Sequence, residues 1–457
     1  MIKRIALLLM CICTLSILAV YTSNTIADKH GTEVELTQKF EKNWHYWRGP
    51  LATGMALNAN PPTTWSETEN IRWKVPIPGM GHATPIIWED MIIIQTAIQG
   101  EMANPDNTEE DNRSDRRRRR RNRNLSSFKF ELLVLNRSDG SPRWQKTLKE
   151  TKPHEGIHGD ASFASNSPVT DGEHIYAYFG SRGLYCLDFK GNIKWEKEIG
   201  IMHKRNTFGE GSCPIIHGDT IVILQDHEGQ SFIIALDKRT GDQIWRMDRD
   251  EVTTWTSPIV VDYNGISQVI VPASNRTRSY NLANGDLVWE CGGLTRNVIP
   301  SPMHKDGHVY VMSGHGGFSL QSINLELASG DITRTEAVDW QYNDDTPYVP
   351  SPLLSEDTIY FLKRNDNILT AMDRKTGDVI FGPQRIQGVS NVYASIVGAA
   401  GRVYIADRNG SVAVLKDGPK LEVIALNYLD DSFNASPAIV GSELYLRGTQ
   451  HLYCIAE

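Results

Sequence analysis

Seven positions spread along the chain carry side chains suited to gripping an anion: Arg182, His227, Arg276, His315, Arg364, Arg408 and Arg447. Each sits in a short polar turn between two apolar runs. The turn DHEGQ, between Ile221–Leu224 and Phe232–Leu236, shows the pattern. Arginine offers a planar fork that pairs bidentately with a carboxylate or phosphate. If the flanking runs are strands of equivalent sheets, these turns gather at one rim, where they would meet an acidic ligand. The competing reading is that hairpin tips are polar in any protein, and Asp226, Asp366 and Asp407 dilute the charge. A second set is placed just before the strand that opens each unit. It comprises His82, Trp255, Tyr348 and Tyr393, with Asn166, Asn297 and Asn434, and it would open on the same face.

Other constellations argue mostly by exclusion. His154, His158 and Asp160 lie in HEGIHGD. Histidines four apart share a face only on a helix, and this stretch contains two glycines, so no metal is expected there. No GxSxG elbow is present, and nothing points to a hydrolase. Beyond residue 27 the cysteines are Cys186, Cys213, Cys291 and Cys454, none with CxxC spacing. That excludes a zinc knuckle or a c-type haem on pattern grounds. Cys186 in GLYCLDF and Cys454 in HLYCIAE take the place of Ala235, a small inward position, and read as buried thiols.

The elements that must position these residues follow from a repeat. Its cleanest copy runs from Cys213 to Trp245, with β-rich runs separated by Gly/Asp turns. A restart signal marks each unit: Thr84-Pro85, Ser167-Pro168, Cys213-Pro214, Ser257-Pro258, Ser301-Pro302, Ser351-Pro352, Ser395-Ile396 and Ser436-Pro437. From Pro168 onward the steps are 41 to 50 residues, the period of a β-propeller with four strands per blade. A late flat side chain (Trp144, Trp195, Trp245, Trp289, Trp340, Phe381) wedges between sheets. Eight starts predict an all-β, eight-bladed propeller of four-stranded antiparallel blades over 71–457. The last unit lacks an outer strand. Residues 71–76, containing Trp73, stand at the right interval to supply it and clasp the ring.

The stretches ALDKRTGDQIW (235–245), AMDRKTGDVIF (371–381) and VLNRSDGSPRW (134–144) resemble the repeat of pyrroloquinoline-quinone-type (PQQ-type) propellers. The same repeat is similar to that of the propeller subunit of the outer-membrane β-barrel assembly machinery. Trp47-Arg-Gly-Pro50 and the run from Trp65 to Lys74 resemble the start of secreted bacterial quinoprotein-like propellers. The resemblance spans about 43–457 and implies fold more than function. Quinone-dependent dehydrogenases of this class use adjacent cysteines, a calcium ion and an Asp base. This chain has no adjacent cysteines after residue 27, and Asp237 belongs to a turn shared by several units. No PQQ, no catalytic calcium and no other metal is therefore expected.

The N-terminal stretch 1–27, with Lys3, Arg4, the apolar run 5–20 and Thr25-Ile-Ala27, reads as a signal peptide. Its removal changes the net charge from −8 to −10. An acidic exported chain argues against nucleic acid, and no membrane span is expected after processing. Residues 28–70 read as an extension whose Trp44, Tyr46, Trp47 and Trp65 pin it across the propeller wall. Residues 99–127, with Glu109, Glu110, Asp111 and the run Arg116–Arg121, read as a disordered insertion in blade one. The expected function is an exported, periplasmic or extracellular, monomeric and non-enzymatic scaffold. It would bind a protein or acidic glycan through its polar loop face. The alternative is a quinone-dependent dehydrogenase or another enzyme with its site at the central channel.

Overall fold

The two middle strands of each repeat are apolar on both faces, so they bury only if sheets stack on either side. In Thr220–Gln225 and Ser231–Asp237 nearly every residue is buried, while the next strand, Gln243–Arg249, alternates with solvent. This gradient from inner to outer strand is that of a propeller blade. The computed structural model describes residues 38–100 and 126–457. The signal peptide read at 1–27 and most of the insertion read at 99–127 lie outside the described residues.

Eight sheets follow in chain order. Blade one is Ile86–Trp88, Met91–Gln99, Phe128–Asn136 and Pro142–Thr151. Blade three is Ile215–His217, Thr220–Gln225, Ser231–Asp237 and Gln243–Arg249. The last blade takes Ala438–Val440, Glu443–Arg447 and His451–Ile455 from the C-terminus, and Ile71–Pro76 as its outer strand. Trp73 pairs antiparallel with Cys454, as the repeat arithmetic predicts. Blade four gains a fifth strand, Gly330–Asp331, from the long outer hairpin of blade five. Among the described residues no helix is long and apolar enough to cross a membrane.

Two repeated contacts join the blades. In the first, the indole of one blade docks on the turn of the next. Trp245 Nε1 donates to Leu282 O at 2.7 Å, Trp195 to Lys238 O at 3.0 Å, and Trp144 to Phe189 O at 2.9 Å. Trp73 does the same across the clasp, to Arg137 O at 3.1 Å. The turn must carry glycine for this. Gly241 has φ +75°, and a Cβ there would stand 2.7 Å from the Trp195 ring. Trp289 departs from the pattern because the blade-five turn is longer; its indole bonds Gln268 of its own blade at 2.9 Å. Opposite most of these rings stands a small residue, Ala235 against Trp245, Cys186 against Trp195 and Cys454 against Trp73, which accounts for these two buried thiols.

The second contact is a belt around the channel, made by the restart residues themselves. Backbone N–H groups of Thr84, Ser167, Cys213, Ser257, Ser301, Ser351 and Ser395 each donate to the side chain of the next blade's restart residue, ending at Ser436, at 2.8 to 3.2 Å. The acceptor is a hydroxyl at every step except Cys213, where it is sulfur at 3.1 Å.

The N-terminal extension lies against the propeller wall at Trp65, whose N–H donates to Asn427 Oδ1 on the outer strand of blade seven at 2.9 Å, but not at Trp44, Tyr46 and Trp47. Its first part crosses one end of the channel. Trp44 pairs with Ile87 in blade one, and His45 O accepts from Thr170 N in blade two at 3.3 Å. Tyr46 donates to Pro258 O in blade four at 3.0 Å. Arg48 donates to Pro352 O at 2.5 Å and Ile396 O at 2.9 Å, in blades six and seven. Met55–Ala56 then pairs parallel with the innermost strand of blade seven. These partners lie on the innermost strands, one to four residues past the belt, so the segment is a floor. The physical reason is local: the inner edge of each blade is an unpaired strand edge, and a chain laid across it satisfies those groups.

Candidate functional site

With one end floored, the channel becomes a cavity open at the other. Its volume is about 330 Å³. Trp47 closes it from the floor. Thr84, Ser167, Cys213, Ser257, Ser395 and Ser436 of the belt ring its wall. The loops that lead into the innermost strands form its mouth with His82, Phe208, Trp255, Tyr348, Tyr393 and Asn434. The second set read from the sequence is thus gathered at one mouth. Of the other two asparagines, Asn166 is spent on Ser212 O at 2.7 Å, and Asn297 N is held by Ser274 Oγ at 3.2 Å.

The aromatic rings are held from behind. Trp255 Nε1 donates to Gly209 O at 2.8 Å, and its ring meets Phe208 edge-on at 6.3 Å. Lys204 Nζ lies 5.6 Å over the same ring and bonds Asp226 O and Thr254 O at 2.6 and 2.8 Å. Burial pushes the Lys204 amine down to about 8, against the pull of Glu210 and Asp226. Tyr348 stacks with His315 at 4.7 Å, and Tyr393 lies under Arg408 at 4.6 Å. His82 is pushed down to about 4, mainly by burial and further by the Arg447 and Arg408 charges. Its imidazole is neutral at pH 7.

The Arg/His set occupies the surrounding rim, and most of it is engaged within the protein. Arg182 is buried and pairs with Glu210 at 3.0 Å between Phe130 and Phe163. Arg276 pairs with Asp331 at 2.9 Å and Glu290 at 3.4 Å. Arg408 pairs with Asp160 at 2.9 Å. Arg447 is buried and donates to Ala83 O at 2.9 Å. His227 Nε2 donates to Gln230 O at 3.1 Å, and burial lowers its pKa. Arg364 is exposed, its guanidinium 5.2 Å over Phe318. Two of the acids read as diluting the rim do not reach it. Asp226 is fully buried and held by Arg249 at 2.8 Å, and buried Asp407 accepts from Ser390, Asn409 and Ser411 N–H groups.

The insertion carrying HEGIHGD folds over the mouth. His154-Glu155-Gly-Ile-His158 has the spelling of the HExxH helix motif, but these residues are not helical. His158 turns to Phe208 at 4.5 Å and Asp160 to Arg408, away from His154. Lys204 and the floor residue Trp47 were missed as site residues. For Trp47 the signal was present: four aromatics in an otherwise mixed extension.

Ring, belt and docked indoles together define a quinoprotein-type eight-bladed propeller. A family model described as outer membrane protein assembly factor BamB matches residues 129–383, more than half of the chain, and the chain belongs to that family. The curated assembly factor BamB of Yersinia pestis is 20% identical over 285 residues, covering 62% of this chain and 58% of that protein, so the match spans less than two thirds of the relative. Among solved structures, BamB from Moraxella catarrhalis aligns with a TM-score of 0.50 and 15% identity over 71% of this chain and 93% of that one. A europium-containing methanol dehydrogenase aligns with a TM-score of 0.60 and 9% identity over 92% of each. At such identities the likeness is one of fold.

Proposed function

We propose that the protein is an exported, non-enzymatic scaffold that binds a protein partner through the mouth of its channel. The carrying observation is the chemistry of that mouth. Phe208, Trp255, Tyr348 and Tyr393 border a cavity of about 330 Å³, while most of the charges around it are matched internally. Anchored aromatics around a pocket are what a partner's side chain buries against. Committed arginines offer less to an acidic glycan, which keeps a protein as the favoured ligand. Membership in a family described as outer membrane protein assembly factor supports a partner engaged in assembling outer-membrane proteins. It likewise favours function in the periplasm, and the proposal includes cleavage of 1–27 and a monomeric state.

The enzymatic alternative draws on the likeness to a methanol dehydrogenase. Among the described residues lining the cavity none is Lys or Arg, while Asp160 and Glu210 are present. PQQ carries three carboxylates, so this lining is a poor fit for it. The proposal therefore includes retention of no quinone. A photo-crosslinking residue at Trp255 or Tyr393, compared with one at half-buried Tyr263 on the other side of blade four, tests the reading. Capture of one protein partner from the mouth positions alone supports it. Capture only from position 263, or quinone absorbance in the purified protein, overturns it. A capture competed by oligosaccharide would replace the protein with a glycan.

A further inference from the structure

The insertion between blades one and two, 152–165, lies over the segment 199–213 that leads from blade two into blade three. His158 N donates to Thr207 O at 2.8 Å, and Lys204 N donates to Glu155 Oε1 at 3.2 Å. At this crossing His154, Glu155 and His203 each bring one ligand atom to within 4.8 Å of the others. Glu155 Oε2 stands 3.6 Å from His203 Nδ1. In a tetrahedral shell with bonds near 2.1 Å, neighbouring donor atoms lie roughly 3.4 Å apart, so only small side-chain shifts are needed.

The backing of the trio fits the same purpose. His154 Nε2 lies 2.7 Å from the Met202 carbonyl, which can only accept, so the proton sits on Nε2. A bond from one ring nitrogen to a backbone carbonyl is how a ligating imidazole is oriented. Glu155 is braced likewise by the Lys204 amide. The two rings are 5.5 Å apart and nearly perpendicular. His203 is two-thirds exposed, which leaves the fourth position to water.

We propose that His154, Glu155 and His203 form a binding site for a divalent transition ion of the zinc class. Two imidazoles and one carboxylate suit Zn²⁺, Co²⁺, Ni²⁺ or Cu²⁺, whereas Ca²⁺ and Mg²⁺ take shells of oxygen. The site shares only His154 with the ligands of an HExxH helix. His158 is not a ligand, Glu155 is one, and the third ligand comes from 48 residues along the chain. The ion joins the two loops that carry His158, Asp160, Phe208 and Glu210 of the cavity lining, so it fastens one side of the mouth. The site stands independently of what the mouth binds.

The test uses the full untagged chain, stripped with a chelator and titrated with ZnCl₂ by calorimetry and with CoCl₂ by visible absorbance. One ion per chain is expected, with the intense visible band of low-coordinate cobalt. His203→Ala and Glu155→Gln each weaken binding by about 10- to 100-fold or more, as removal of a ligand costs at least as much as loss of its backing group. His158→Ala leaves it unchanged. Because His203 is exposed, its variant folds, and an unchanged melting curve without metal confirms that. Hydrogen exchange of residues 199–207 slows on adding Zn²⁺ in the parent chain and not in His203→Ala. Absence of stoichiometric binding in the parent chain, or equal binding by parent and His203→Ala, overturns the site.

Discussion

Arg48 and Arg408 hold opposite ends of one channel by different means. Arg48, on the floor, is 1% exposed and gives its guanidinium to backbone carbonyls of Thr53, Pro352 and Ile396. Arg408, at the mouth, is 22% exposed on its side chain and pairs with one carboxylate, Asp160, itself 38% exposed. On the ring's side the floor contacts are backbone groups, which a change of side chain there leaves in place. The mouth is joined through side chains on loops, which change freely. A propeller that floors its channel this way keeps one end as architecture and leaves the other for ligands.

The wall between the ends sets the scale. Trp245→Ala removes a buried indole, its bond to Leu282 O and its contact with Gly285. The expected loss is about 3–5 kcal/mol, read by denaturant unfolding. A loss under about 1 kcal/mol would show that the indole does not hold blades three and four together. Arg48→Ala comes next, at about 3 kcal/mol, because it strands the buried carbonyls of Pro352 and Ile396, while Thr53 O keeps its bond from Leu354 N. Arg48→Lys should restore part of the loss, since all three carbonyls are met by the one nitrogen Nη2 and an ammonium also brings three donors to one nitrogen. If Arg48→Ala costs no more than a mouth substitution, the contrast between the ends fails.

Both ends hold a histidine that acid should attack. Burial pushes His45 on the floor and His82 at the mouth down to about 4 from 6.5. Between those values the unfolded chain binds a proton that the folded chain refuses. Their stabilising effect is therefore whole above pH 6.5 and is lost as pH falls towards 4, by an amount of order 1–3 kcal/mol each. Melting of the parent, His45→Gln and His82→Gln chains at pH 7.5, 5.5 and 4.5 checks this. Each variant should lose less on acidification than the parent. Identical acid profiles would place the titrating groups elsewhere.

The ring was legible in the sequence because its joints recur. The Ser-Pro starts are the belt, and the Trp–Gly turn pairing repeats often enough to count. The interval from Trp73 to Pro85 placed the clasp for the same reason. The floor was not legible: its bonds, from the Tyr46 and Arg48 side chains and from the backbone of 44–56, meet backbone groups of strands up to about 350 positions away, and no side-chain pattern on those strands records them. The mouth was half legible. Aligning the loops gathered His82, Trp255, Tyr348 and Tyr393 correctly. Aligning the hairpins found Arg182, Arg276 and Arg408 but not Glu210, Asp331 and Asp160, which come from irregular segments outside the repeat. The His154–Glu155–His203 crossing was hidden likewise, because an insertion meets a loop that no periodicity aligns.

Arg408 gives the smallest effect and the sharpest test of the contrast. Its pair with Asp160 spans the mouth, from the blade-seven hairpin to the insertion before blade two. Both partners are partly exposed, so water and salt screen the attraction, and an exposed pair of this kind contributes about 0–1 kcal/mol. The stacking of Arg408 on Tyr393 at 4.6 Å adds a second modest term. Arg408→Gln should therefore shift the melting temperature by no more than a degree or two, for a domain of this size. It should also release Asp160 and free the Tyr393 ring, so binding at the mouth changes while stability does not. The same substitution made in 1 M salt should cost nothing further. A loss of stability as large as that of Arg48→Ala would mean that the mouth is architecture too, and that the channel has no end left over for a partner.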